Sequence, residues 1–422
     1  MNEKIIILKS GRCAWGECFG CGWGRLVGPA PNMHQLKAVI DKEVTHAERL
    51  KVFASGSLLD DKQFPRSIRK YLAMRAAAAG VKELIIESRP EFITDENLAD
   101  FRGIKTIVAI GLECADDAVL KRYNKGFTTE DYVRAAETLH KNGCGVRTYL
   151  MVGLPFVGDQ SASLKKSVEF AREHSDSIVL INVFPHSKAP LYNMWIAGEW
   201  KPLSNREFSK LTAPYEDCEK ESNNFAFIPN FHEKPAILGA TEAQLTHPYY
   251  EVWQDYIVRL YEPPKDKDAL FFVPCAFRKP YFKSKLHKAI ASVATNPRLH
   301  WVAISSPGVI PYEFAGKYPF NAYDWPEWEE TPEIKKRYIE VTQARIERFL
   351  EEHGKHYKKI CSYFKPDSES FKALEAACKK LGLPLMNCIS KETYEKIKTE
   401  KNPLSLPEAL EDLKRAISRL FV

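Results

Sequence analysis

The sequence predicts an α/β chain of two domains. Three observations carry this. The length of 422 residues exceeds what one hydrophobic core usually serves. The first half alternates short apolar runs with helix-like stretches. That alternation stops after about residue 185 and a second one opens at ALFFVPC, 269–275.

In chain order, the expected strands of the first half are IIIL (5–8), KVFA (51–54), ELIIE (83–87), TIVAIGL (106–112), VRTYLMVGL (146–154) and SIVLINVF (177–184). Between them lie helix-like segments such as MHQLKAVIDKEVTHAERL, FPRSIRKYLAMRAAAAG, TTEDYVRAAETLHKNG and ASLKKSVEFAREH. Strands that alternate with helices imply parallel β/α units, closed as a barrel or open as a doubly wound sheet. Right-handed crossovers put every strand C-terminus, and any site, on one rim. Residues 185–265 are rich in Pro, Trp and Tyr and show one clear helix, near NREFSKLTAPYEDCEKES. The second half adds HWVAISS (300–306), a helix from Pro332 to His353, KKICSYF (358–364), a helix over 369–381 and another from Leu406 to Leu420. The expected division is 1–230, a linker at 231–267 that includes EPPKDKD, and a smaller α/β sandwich at 268–422.

Composition excludes some classes. Apolar residues at 45% and charged residues at 27% are those of a globular protein. No apolar run reaches the ~18 residues of a membrane span, and the N-terminal apolar stretch is too short for a signal peptide. A cytoplasmic location is expected, in which the ten cysteines serve as thiols, ligands or nucleophiles rather than disulfides. A net charge of +6 permits a nucleic-acid partner without demanding one.

The loop after the first strand, GRCAWGECFGCGW, places Cys13, Cys18 and Cys21 within nine residues. A structural zinc would need a fourth ligand, and the next candidate is His34. Packing alone is a poor account of thiols on a glycine-rich loop. The reading preferred here is a 4Fe–4S cluster with one iron left without a protein ligand, free to bind S-adenosylmethionine (SAM). An electron from the cluster would then cleave the sulfonium and release a 5′-deoxyadenosyl radical. Other strand ends supply candidate cofactor contacts. Ser55, Gly56 and Ser57 could meet the methionine ammonium, or form an ordinary turn. Arg89 could hold a carboxylate, or pair with Glu87 or Glu91. Glu113 could meet ribose hydroxyls or substrate, or be a solvated carboxylate.

On these residues the first half resembles the radical SAM superfamily, which implies a partial (βα)6 barrel. The spacing C-x4-C-x2-C is one residue longer in its first gap than the commonest form. The aromatic usual before the last cysteine is displaced: Gly20 stands there, with Phe19 one earlier and Trp23 two after. The segment GLECADDAVLKRYNKGFTTEDYVRAAETLHKNGCGVRTYLMVGLPF is similar to the Elongator-subunit-3-like branch, whose members act on tRNA. VFASGSLLD, IIESRPEFI, the NKGFTTED run and PLYNMWIAGEWKP resemble the radical SAM enzymes of archaeosine synthesis, over about residues 4–210. By that analogy Lys125 is a phosphate or SAM contact, against a solvated loop lysine. A methylthiotransferase is disfavoured because Cys114, Cys144, Cys218, Cys275, Cys361, Cys378 and Cys388 are scattered, which leaves no second cluster motif. An Elongator-like acetyltransferase is disfavoured because the second half has no phosphate-cradling glycine run.

In the second half, FFVPCAFRKPYFKSKLHKAI contains Pro-Cys-x3-Lys-Pro-Tyr-x2-Ser-x2-His. It matches the motif of the archaeosine synthase family, which resembles tRNA-guanine transglycosylase and attaches lysine to the nitrile of 7-cyano-7-deazaguanine in tRNA. AISSPGVIPYEFAGKYPFNAYDWPEW continues the resemblance, which covers roughly 268–420. The resemblance implies a catalytic set of Cys275, Lys279, Tyr281, Ser284 and His287. A thiolate attacks a nitrile well, so Cys275 would add to it and lysine would displace the thioimidate. His287 would move protons and lower the thiol pKa. Taken singly, Cys275 reads as a core cysteine and His287 as a surface histidine. Lys279, Lys283, Lys285 and Lys288 would meet tRNA phosphates or form a wet helix face.

The expectation is therefore a tRNA-modifying radical SAM lyase that converts the lysine adduct of the nitrile-bearing base to archaeosine, with lysine transfer by the second domain. Its partners would be tRNA carrying 7-cyano-7-deazaguanine or its lysine adduct, free lysine and an electron donor, with no membrane. The alternatives are a second domain that only docks tRNA or a separate archaeosine synthase subunit, and a different Elongator-like tRNA-modifying enzyme.

Overall fold

The computed structural model describes residues 2–222 and 228–421. The chain divides into two compact units, the first formed by Met1–Trp195 with Glu199–Phe225 and the second by Ala226–Val422 with Ile196–Gly198.

The first unit is a curled sheet of seven parallel strands in sequence order: β1 (Glu3–Ile7), β2 (Arg49–Phe53), β3 (Glu83–Glu87), β4 (Thr106–Glu113), β5 (Gly145–Val152), β6 (Ser177–Asn182) and β7 (Glu219–Glu221). It is an α/β half-barrel. Side chains alternate along each strand. Leu50, Val52, Leu84, Ile86, Val108, Ile110 and Leu150 point outward and join one core with helix residues such as Ile40, Ile68, Leu72, Leu139 and Val168. The inner face is polar instead. Near the strand N-termini it holds ion pairs from Arg49 to Glu83 at 2.8 Å, Lys51 to Glu3 at 3.0 Å and Arg147 to Glu219. The strand C-termini face an open cavity.

The six expected strands are all present, and β7 is an addition. The stretch read as one helix, Asn205 to Ser222, splits. A capping box of Ser204 and Glu207 starts a helix, Asn205–Thr212. It stops one residue before Ala213, whose helical conformation Pro214 disfavours. The charged strand β7 has no apolar pattern, and the guanidinium of Arg147 grips its Glu219.

The second unit carries β8 (Ile237–Leu238), β9 (Ala269–Pro274), β10 (Leu299–Ser305), β11 (Gly308–Pro311), β12 (Tyr323–Asp324), β13 (Lys359–Ser362) and β14 (Met386–Asn387). Its main sheet runs β11-β10-β9-β13-β14, parallel except for β11, and β8 pairs with β12. Residues 231–267 were expected as a linker, but much of that stretch is folded into this unit. The helix Pro248–Arg259 buries Tyr250, Trp253 and Tyr256. Trp253 Nε1 donates to the Tyr318 carbonyl at 2.9 Å, and the Gln254 amide closes the edge of β11 through both Val309 N and O. The aromatic content that blurred the periodicity is core, not linker.

Candidate functional site

The cysteine loop leaves β1 and is braced by the NKGF turn. Trp15 Nε1 donates to the Asn124 carbonyl at 2.8 Å, and Phe19 N donates to the Tyr123 carbonyl at 2.8 Å. Gly126, at φ +77°, has the Trp15 indole 2.5 Å from where a Cβ would lie. A Cβ on Gly20 would fall 1.9 Å from the Tyr123 hydroxyl. Tyr123 thus fills the space beside the position where the usual aromatic is missing.

Cys13, Cys18 and Cys21 line one cavity of about 260 Å³ at the strand C-termini. Burial pushes the Cys18 and Cys21 thiols up; Lys125 opposes this at Cys18, and the Gly24 N–H, 3.3 Å from the Cys21 sulfur, opposes it at Cys21. Among the described residues no three His, Cys, Asp or Glu side chains converge on a single-ion site. Three thiols each bound to a different iron of a cubane need no such convergence.

The same cavity takes in Ser55, Gly56, Arg89, Glu113 and Lys125. A Cβ on Gly56 would lie 2.2 Å from Gln63 Oε1 and 2.9 Å from the Cys13 Cα, so glycine lets the β2 turn close on the cysteine loop. Ser57 is not a ligand contact. It is buried, its N–H donates to Gln63 and its Oγ accepts from Arg89 N at 3.0 Å. Arg89 pairs with Glu91 at 2.5 Å, donates to the Lys125 carbonyl at 3.0 Å and has its Nη1 4.0 Å from the Cys18 sulfur. Its Nη2 is buried without a partner, as is Oε2 of Glu113. Glu113 sits at φ +72° on a bulge of β4 and pairs with Lys125, which is buried rather than solvated. Burial alone would depress Lys125, but the Glu113 carboxylate outweighs it and lifts the ammonium above the ordinary lysine range. Gly111 makes room for this pair, since a Cβ there would lie 3.0 Å from Glu113 Oε1.

Sequence reasoning missed Glu87, Tyr149, Asn182 and His186, which also line the cavity. Period-two alternation from Glu83 through Ile85 puts Glu87 on the inner face, which was the available signal.

In the second unit, Cys275 follows β9 and lies half-buried in a cavity of about 200 Å³ with Lys279, Ser305, Tyr323, Asp324 and Glu327. Burial raises the thiol, and Ser305, Lys279 and Tyr323 pull it back. Burial depresses Lys279, whose Nζ lies 4.0 Å from the centre of the Tyr323 ring. Tyr281 is fully buried, its hydroxyl 2.5 Å from that of Tyr323, which donates to Ser305 Oγ at 2.7 Å. Phe277 and Trp328, 83% and 79% exposed, stand at the lip. Arg278, Lys283, Lys285 and Lys288 are exposed, and none has an acidic partner among the described residues.

Two expectations are corrected here. Ser284 is the N-cap of the helix Lys285–Val293, accepting from His287 N at 3.1 Å. His287 is not poised to lower the thiol. Its Nε2 lies 2.9 Å from the Pro274 carbonyl, an obligate acceptor, so Nε2 carries the proton and Nδ1 accepts from Tyr312, 3.1 Å away. The ring is sandwiched between Tyr281 and Tyr312, and burial drives its pKa down to about 4.

Residues 8–167 match the Radical SAM superfamily. This stretch is a radical SAM domain. Residues 251–413 match a second family, described as a domain of unknown function, DUF5591. The chain is homologous to the archaeosine synthase subunit beta of Methanosarcina acetivorans, with 31% identity over 47% of this chain and 62% of that protein. It is also homologous to the subunit beta of Thermococcus kodakarensis, with 35% identity over 36% and 50%. It is 34% identical to the archaeosine synthase subunit alpha of Thermoplasma acidophilum over 22% of this chain and 18% of that one. The chain thus spans about half to three-fifths of the two beta subunits.

The cofactors of a radical SAM domain are a 4Fe–4S cluster and SAM. The residues of this one fit both. Three thiols border one cavity, the Gly56 cradle admits a ligand where a side chain would not fit, and buried Arg89 Nη2 and Glu113 Oε2 await partners of opposite hydrogen-bonding sense. Among the described residues no helix is long and apolar enough to cross a membrane.

Proposed function

We propose that this protein acts in archaeosine formation on tRNA. The first unit is the radical SAM lyase that removes the lysine carbon skeleton from an amidine-linked adduct of 7-cyano-7-deazaguanine, and the second unit joins lysine to the nitrile. The observation that carries this reading is one chain holding both a thiol-lined radical SAM cavity, homologous to archaeosine synthase beta subunits, and a second cavity with a thiol beside a desolvated lysine.

In the first unit Cys13, Cys18 and Cys21 would hold the cluster, which when bound supplies the electron for SAM cleavage. Arg89 is placed for the methionine carboxylate and Glu113 for hydroxyl donors, with Lys125 keeping Glu113 charged. In the second unit Lys279, not His287, is the group beside Cys275 able to take the thiol proton. The thiolate adds to the nitrile carbon; the C–S bond forms as a C≡N π bond breaks, and the nitrogen takes a proton, giving a thioimidate. The lysine amine then adds and expels the thiolate, which leaves the amidine. Asp324 and Glu327 are placed to receive the incoming ammonium.

Iron-reconstituted protein, incubated anaerobically with SAM, reductant, labelled lysine and nitrile-bearing tRNA, should yield archaeosine by mass spectrometry of the nucleosides. Formation of neither adduct nor archaeosine overturns the proposal. A second reading makes the second unit a docking module for a separate synthase, favoured by the division of the relatives into alpha and beta subunits. Under it, lysine adduct forms only when a synthase is added, while adduct-bearing tRNA is still converted. The Cys275→Ala variant separates the two, because only the first reading requires the thiol.

A further inference from the structure

We propose that Glu87 and Asn182 form a subsite for a cationic, N–H-bearing group of a substrate other than SAM. The inference rests on the lyase reading above and deepens it by naming which part of the substrate the half-barrel grips.

Glu87 ends β3 on the inner face and lines the 260 Å³ cavity. It accepts from the N–H of Ala54 and from the hydroxyl of Tyr149 on β5. Strand β4 lies between β3 and β5, with Ala109 opposite Glu87 and Gly111 opposite Tyr149. Two strand spacings are about 9.6 Å, and the small residues on β4 leave the space in which these side chains meet. Among the described residues no lysine, arginine or histidine pairs with Glu87, although it is half-buried and walled by protein. A carboxylate withdrawn from water without a counter-ion is costly. Burial accordingly lifts its carboxyl to about 7, with Glu221 adding to the shift, while Ala54 and Tyr149 oppose it.

Asn182 supplies the independent observation. It is only 6% exposed, ends β6 and lines the same cavity. Its Nδ2 donates to the Leu203 carbonyl at 3.2 Å, an obligate acceptor, and to Ser222 Oγ at 3.2 Å. The amide orientation is therefore determined, and Oδ1 is left buried with no partner. A buried orphaned acceptor and a carboxylate without a counter-ion both call for N–H donors carrying positive charge. The cavity's own cations lie elsewhere, with Arg89 and Lys125 beside Cys18 and Glu113. Glu87 also sits inside the strand ends, whereas Ser55, Arg89 and Lys125 lie beyond them. Of the two ends of the proposed pathway, the lysine adduct carries cationic nitrogen and the nitrile does not.

The test uses the iron-reconstituted full chain, as wild type, Glu87→Gln, Glu87→Asp and Asn182→Ala, with tRNA carrying the lysine adduct. Glu87→Gln should lower kcat/KM about 10- to 100-fold, mainly through KM, the range for lost hydrogen bonds to a charged group. Asn182→Ala should fall by a smaller factor, and Glu87→Asp should recover part of the loss. Iron content, SAM affinity by calorimetry and affinity for nitrile-bearing tRNA should match wild type. Unchanged kinetics in Glu87→Gln overturns the inference. So does a loss of SAM affinity, which would assign the acceptors to the cofactor, or an equal loss of affinity for both tRNAs. Absence of turnover by the wild type overturns the lyase reading, and this inference with it.

Discussion

His287 gives the sharpest test of how the second unit works. Its pKa is lowered from the ordinary 6.5 to about 4 by burial. Between those values the unfolded chain binds a proton that the folded chain refuses, so stability rises with pH across the window. Put in the other direction, the contribution is whole above 6.5, is lost progressively as pH falls to about 4, and changes no further below that. At 1.36 kcal/mol per pH unit the loss is about 3 kcal/mol, a factor of roughly one hundred in the opening equilibrium. The perturbation is His287→Gln, which cannot titrate and whose amide N–H can still reach toward the Pro274 carbonyl. Hydrogen exchange followed by mass spectrometry on peptides covering 285–293, with wild type and variant compared at each pH, isolates this residue from other titrating groups. Wild-type protection should fall relative to the variant as pH is lowered from 6.5 to 4, by about one hundredfold in total. A parallel pH dependence in the two proteins, or an imidazole that titrates near 6.5 by NMR, would refute the reasoning and restore His287 as a candidate base.

Three further outcomes follow from the same geometry. Gly56→Ala should lose cluster loading, measured as iron content and visible absorbance, because its Cβ would collide with Gln63 and the Cys13 backbone. Lys125→Met should destabilise the first unit by about 3–5 kcal/mol in denaturant unfolding by stranding the buried Glu113 carboxylate, and Lys125→Met with Glu113→Gln should recover most of it. Ser284→Ala should lower the stability of the second unit by about 1 kcal/mol through loss of the helix cap, and any lysine-transfer rate measured below its unfolding temperature should fall far less than in Cys275→Ala.

The polar inner face of the half-barrel shows why some residues were legible in the sequence and others were not. The cysteine loop could be read because a covalent spacing on a glycine-rich turn survives without knowledge of the fold. Glu113 and Arg89 could be read as rim residues because strand ends are local features. Their state could not, because the Glu113–Lys125 pair joins a bulge to a distant turn, and Gly111 admits it. Ser57 and Ser284 have the residue types of ligand contacts, yet their hydroxyls bond to the backbone of Arg89 and His287.

By itself the amino-acid order determined the β/α alternation, the position of three thiols after the first strand, and the thiol-to-histidine motif after the strand at 269–274, since each depends on spacing within a few residues. Only the tertiary structure decided which side chains keep free valence. Burial and partners from remote strands neutralised His287, locked Ser57, turned an aromatic-rich connection into core, and left Glu87 and Asn182 with unmet acceptors. Hydrogen-bond satisfaction is settled by what comes within about 3 Å, and no local pattern records which distant residue that will be.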